Sequence, residues 1–162
     1  MNIEVLDKPL ASRRRRAPIT TIVLHSTAGG SATSSIAWLR KIGLSYHYVI
    51  ERDGTIYKCV PTGREAFHAG RSVGPSGSGV NRYSIGIAFA NYNNGEALTD
   101  AQLQAHRELV NTLWGVIPTI RYITTHRICS WKRKTDPKGY DPREHFLFTR
   151  LWRAGDHQPW AG

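Results

Sequence analysis

His126-Arg127-Ile128-Cys129-Ser130-Trp131-Lys132-Arg133-Lys134-Thr135-Asp136 follows the apolar-polar segment Tyr122-Ile123-Thr124-Thr125 and stops at Pro137. The segment reads as a strand, and the proline, which lacks an N–H, closes the regular structure that follows it. A histidine at a strand end, then a loop that returns a carboxylate, offers two metal ligands from firmly held backbone. Catalytic zinc takes three protein ligands and keeps a fourth position open. His25, which closes the strand-like run Ile19-Thr20-Thr21-Ile22-Val23-Leu24, is the candidate for the third. Cys129, three residues after His126, competes with Asp136 for the place in the loop.

Outward from these two strand ends, the rest of the chain reads as alternating elements. Ile36, Leu39 and Ile42 predict a helix over 33–42. Tyr46 to Ile50 reads as a strand, Arg52-Asp53-Gly54 as a hairpin turn and Thr55 to Val60 as the returning strand. Glycine and serine dominate Gly70 to Gly79, which reads as a loop without a phosphate-loop pattern. Ser84 to Ala90 reads as a central strand. Thr99 and Gln102 form a capping box ahead of the stripe Leu103, His106, Leu109, Val110, Leu113 and Trp114, and Pro118 ends that helix. His106 on the stripe reads as a packed helix residue, not a ligand. A last helix is expected from Pro142 to Trp152. This order predicts one α/β domain with a mixed central sheet flanked by helices. The division expected is a basic N-terminal arm over 1–17 and a catalytic domain over 18–162.

Composition narrows the class. Forty percent hydrophobic residues in 162 argue for a folded globular domain rather than a disordered chain. Two cysteines, Cys59 and Cys129, are too few for a disulfide framework and are expected as free thiols. The first residues lack a signal-peptide pattern, and no apolar run is long enough to span a bilayer, so synthesis in a cytoplasm is expected. With 22 Lys and Arg against 12 Asp and Glu, the net charge of +10 favours a polyanionic partner. Arg13, Arg14, Arg15 and Arg16 concentrate that charge, either as a solvated arm along the surface or as an anchor on an anionic envelope. No nucleic-acid-binding motif is visible and no nucleic-acid partner is expected.

Five segments in order carry a resemblance. Ile22 to His25, Ser45 to Ile50, Phe67-His68-Ala69-Gly70, Asn81 to Ile87, and Thr125 to Arg127 with Lys134 to Pro137 resemble the motifs of the zinc-dependent N-acetylmuramoyl-L-alanine amidases. That family includes phage lysozyme-amidases, muropeptide-recycling enzymes and peptidoglycan recognition proteins. The resemblance covers roughly residues 19–150. It implies zinc held by His25, His126 and Asp136, and hydrolysis of the amide between N-acetylmuramic acid and L-alanine in peptidoglycan. It implies catalytic roles for Tyr46 at the water or oxyanion and for Lys134 at the tetrahedral intermediate, with His68 and Asn81 lining the substrate groove. The recycling branch carries a glutamate where this chain has Ala88. With that departure, the expectation is a monomeric phage endolysin, made in the host cytoplasm and acting on the wall after release. The alternatives are a recycling amidase and a non-catalytic peptidoglycan-binding module.

Overall fold

The computed structural model describes residues 1–152. In chain order the elements are β1 (Ile3–Val5), β2 (Ser12–Arg14), β3 (Thr21–Ser26), α1 (Ala32–Ile42), β4 (Tyr48–Ile50), β5 (Ile56–Lys58) and β6 (Arg64–Ala66). They continue with β7 (Val73–Gly74), β8 (Gly77–Ser78), β9 (Ser84–Phe89), α2 (Asp100–Val116), β10 (Tyr122–Thr125) and the single turn α3 (His126–Cys129).

Six strands form one mixed sheet in the order β1-β5-β4-β9-β3-β10. Strands β4, β9, β3 and β10 run parallel, and β5 turns back antiparallel to β4 through the expected Arg52–Gly54 hairpin. Alternation assigns the two faces. Ile22 and Leu24 of β3 and Ile85, Ile87 and Phe89 of β9 pack with Leu109, Val110 and Leu113 of α2. Val49 packs with Ile36 and Leu39 of α1 on the other face. Val23 and His25, offset by one residue from Ile22 and Leu24, share that second face, so α1 and the loops around it roof the polar residues of the sheet.

The caps follow the sequence. Thr99 Oγ1 accepts from the Gln102 N–H, and the Gln102 side chain returns to the Thr99 N–H. That capping box stabilises α2 by about 1 kcal/mol. Helix α1 begins at Ser31 and ends on Gly43 at φ 73°, where a side chain would be strained.

Three regions differ from the sequence reading, the smallest being Gly70 to Gly79, expected as a loop, which carries the short β7–β8 hairpin. Residues 1–17, expected as an arm, are built into the domain: β1 pairs with β5 at the sheet edge and β2 pairs antiparallel with β6. Arg15 donates to the carbonyls of Thr62, Arg64, Arg82 and Ser84 at 2.8–3.1 Å, and Arg13 pairs with buried Glu65. The expected helix over 142–152 is instead two separate 3-10 turns, Pro142–Glu144 and Phe148–Arg150. Its backbone is claimed elsewhere: Leu151 bridges Ile123 and the Trp152 N–H donates to Ile123 C=O at 2.9 Å, extending the β10 edge.

His106 is buried under α2, as its place on the stripe implied. Its Nδ1–H donates to Leu103 C=O, so Nε2 accepts from the Tyr140 hydroxyl, 2.9 Å away. Burial lowers its pKa to about 3, with charge from His145 and Arg107 acting in the same direction. A base whose folded pKa lies below its unfolded value of about 6.5 contributes stability above that pH and loses it as pH falls toward 3. Replacing His106 by Leu together with Tyr140 by Phe is therefore expected to flatten the fall of Tm between pH 6.5 and 4. An unchanged slope in thermal melts would remove His106 from the acid sensitivity of the fold.

Candidate metal centre

Three elements deliver three side chains to one point. His25 comes from β3, His126 from the junction of β10 and α3, and Asp136 from the loop beyond. The loop folds back because the Ser130 N–H donates to His126 C=O, those of Arg133 and Lys134 to Ser130 C=O, and that of Arg127 to Asp136 C=O. Asn93, from the turn after β9, clamps it further: its Oδ1 accepts from the Lys138 N–H at 2.7 Å and its Nδ2 donates to Thr135 at 3.1 Å. One ligand atom from each of His25, His126 and Asp136 lies within 4.8 Å of the others. All three residues are buried. Asp136 Oδ1 is 3.1 Å from His126 Nδ1, and Oδ2 is 3.4 Å from His25 Nδ1.

The carbonyl on the far side of His126 fixes its tautomer, and the buried Nδ1 of His25, unpartnered among the described residues, places that ring's proton on Nε2. His126 Nε2 donates to Ala69 C=O at 3.1 Å. His25 Nε2 donates to His68 Nδ1 at 2.9 Å, and His68 Nε2 in turn donates to Ser84 Oγ at 3.0 Å. Both imidazoles therefore present an unprotonated Nδ1 to the centre, the outer hydrogen bonding that metal-binding histidines need. His25 Nδ1 is fully buried and makes no hydrogen bond among the described residues. Two inward lone pairs beside a carboxylate fit a divalent cation.

Electrostatics agree. Burial, followed by the neighbouring His126, lowers the His25 pKa to about 4, so the ring is neutral. Burial alone would raise the Asp136 carboxyl, but its close approach to the His126 and His25 rings holds it well below the usual carboxylate range. Cys129 lies outside the cluster. Its Sγ contacts His126 C=O and burial raises its pKa to about 12, so it is a packed thiol. Both cysteines are free.

The centre opens onto a cleft of about 320 Å³ lined by Tyr46, Phe67, Lys134, Thr27 and Leu44 among others, with Asp136 the one acidic residue on its wall. The Tyr46 ring lies 4.9 Å from that of His25, and burial, then the charge of Asp136, raises its pKa, so the phenol stays a donor. Lys134 is exposed and lines the same cleft. His68, expected in the groove wall, lines the cleft, and its ring nitrogens meet His25 and Ser84. Asn81 Oδ1 accepts from the N–H groups of His68 and Ala69 at 3.1 and 2.8 Å, holding the turn that carries them. Ala88 sits in register with His25 and contributes only a methyl group to that face.

The sequence reading missed three supports: Ser84, the Ala69 carbonyl and Gly86. A Cβ at Gly86 would lie 2.6 Å from His68 Cγ, so only glycine leaves room for that ring. A glycine inside an apolar strand was the available signal.

The sequence profile described as N-acetylmuramoyl-L-alanine amidase matches residues 15–139. The 1,6-anhydro-N-acetylmuramyl-L-alanine amidase AmpD of Citrobacter freundii is 35% identical over 121 residues, 74% of this chain and 64% of its own length. The chain thus spans under two thirds of that relative. A solved structure of a selenomethionyl AmpD derivative superposes with a TM-score of 0.78 at 26% identity, covering 89% of this chain and 92% of the other. The endolysin amidase LysCS of Clostridium intestinale gives 0.69 at 26% identity over 88% and 90%. With a profile match that takes in His25, His126 and Asp136, the chain belongs to the N-acetylmuramoyl-L-alanine amidase family.

Proposed function

We propose that the chain hydrolyses the amide between N-acetylmuramic acid and L-alanine, with zinc held by His25 Nδ1, His126 Nδ1 and Asp136. The observation that carries this reading is the pair of tautomer-locked, inward-facing Nδ1 atoms beside a carboxylate, at the floor of an open cleft. Zinc so held supplies Lewis acidity and brings the pKa of water down to about 7. Tyr46 donates a hydrogen bond toward the reacting oxygen. Lys134 places an ammonium where negative charge develops on the carbonyl. The departing amine needs a proton, and Tyr46 and Lys134 are the donors that line the cleft. Ala88 offers no second carboxylate, so proton transfer falls to Tyr46 and Lys134.

The substrate is a soluble muropeptide of the kind named in the AmpD relatives, which replaces the endolysin expectation as the main reading. The endolysin reading stays second, supported by the fold match to LysCS. Among the described residues no helix is long and apolar enough to cross a membrane.

Mass spectrometry after incubation with anhydro-muropeptides and with intact sacculi tests both points. Free stem peptides with an L-alanine amino terminus are expected, faster from the soluble substrate. Cleavage between sugars with intact muramoyl-alanine bonds would overturn the assignment, and faster release from sacculi would restore the endolysin reading. Contact with an anionic envelope falls to exposed Arg14 and Arg16, since Arg13 and Arg15 are tied into the fold. Replacing Arg14 and Arg16 by serine is expected to weaken sedimentation with sacculi at low salt and much less at high salt. Equal loss at both would exclude an electrostatic contact.

A further inference from the structure

The cleft continues past the metal centre in two directions of different chemistry. Toward α1, a second hollow of about 370 Å³ shares Thr27, Ala28 and Leu39 with the central cleft and is otherwise walled mainly by Ser34, Ser35 and Trp38. No charged side chain lines it. The Trp38 indole is 58% exposed, unusual for a residue that is normally highly buried. Lys41 Nζ lies 5.7 Å from its ring centroid. Ser35 Oγ is buried without a hydrogen-bond partner among the described residues. A Cβ at Gly29 would come within 2.6 Å of that oxygen, so glycine keeps the loop wall clear of it.

In the other direction the walls are cationic. Arg133 and Lys134 line the passage beside Asn81, and Arg71 and Arg133 line a further hollow of about 350 Å³ against Trp131 and Val73.

We propose that the Trp38 hollow is a glycan subsite that takes an uncharged N-acetylhexosamine joined to the reacting muramoyl unit, the stem peptide running the opposite way toward Arg71 and Arg133. Sugar binding at Trp38 stands on the hollow itself, whereas its link to the reacting muramoyl unit and the course of the peptide rest on the amidase reading. An amidated muramoyl sugar and its neighbour carry no charge, whereas the stem peptide carries carboxylates. A neutral wall with an exposed aromatic face matches the C–H faces of a pyranose, and a few polar groups fix its hydroxyls. The cationic wall matches the peptide. Charge on the two walls thus orients the substrate across the centre.

The test is titration of the zinc-loaded protein with tri-N-acetylchitotriose, followed by tryptophan fluorescence and calorimetry, together with kinetics on two muropeptides. Binding is expected in the wild type, about tenfold weaker in Trp38→Ala and less weakened in Ser35→Ala. The KM of Trp38→Ala is expected to rise by a larger factor for a disaccharide-peptide than for a muramoyl-peptide lacking the second sugar, with zinc content and Tm unchanged. Absence of chitotriose binding in the wild type, equal binding in Trp38→Ala, or equal KM changes for both substrates would overturn the subsite. If the wild type binds chitotriose through Trp38 yet cleaves no muropeptide, the subsite stands and the amidase reading fails.

Discussion

Asp136→Ala is expected to lose zinc, thermal stability and activity together, while Lys134→Ala loses activity alone. Asp136 supplies the only carboxylate of the three-residue cluster and is held ionised by His126 and His25. Without it two imidazoles remain, too few for a catalytic zinc site. A ligand at about 1,000 times its Kd stabilises the folded state by about 4.1 kcal/mol. For a domain of this size that corresponds to roughly 8–16 °C in Tm. The zinc-dependent rise in Tm should therefore vanish in Asp136→Ala. Lys134 cannot coordinate while protonated, having no lone pair. Its side chain is exposed on the cleft lip, so Lys134→Ala should keep stoichiometric zinc and a near-normal Tm. Its kcat should fall by about 10²–10³, the scale of one electrostatic contact to a developing oxyanion. Atomic absorption, melting curves with and without zinc, and a muropeptide assay on both variants decide the matter. Full zinc occupancy in Asp136→Ala would take that residue off the metal.

Tyr46→Phe separates hydrogen bonding from packing at the same centre. The ring packs against His25 at 4.9 Å, and phenylalanine preserves that contact, so zinc content and Tm should hold. Loss of the hydroxyl should lower kcat by about 10²–10³ with a smaller change in KM, because the hydrogen bond matters most in the transition state. Because its pKa is raised, the phenol should not titrate in the neutral range, and the ratio of wild-type to variant rates should stay flat from pH 6 to 9. Unchanged turnover would leave Tyr46 as a wall residue only.

Some of this was legible one residue at a time. The Thr99–Gln102 capping box, the α2 stripe and the Arg52–Gly54 hairpin are local patterns, and local hydrogen bonding realises them directly. His25, His126 and Asp136 were legible because each stands at the end of a recognisable strand or before a proline. The terminal helix failed because Leu147, on its expected apolar side, is 68% exposed, and the β10 edge takes the backbone at Leu151 and Trp152.

What the sequence by itself determined is the mixed α/β class, the apolar face of α2 and the three residues that meet at the centre. Periodicity and turn chemistry encode these within a few residues of chain. Only the tertiary structure decided that β1 and β2 are strands at all. Three residues carry too little alternation, and their partners β5 and β6 lie some fifty residues away. It also decided that His68 backs His25 as well as lining the cleft, that Asn81 spends its carbonyl oxygen on the His68–Ala69 turn, and that Gly86 is the space in which the His68 ring sits. Each is a contact between residues distant in sequence, set by which side chains the sheet register brings onto one face, and no local pattern records it.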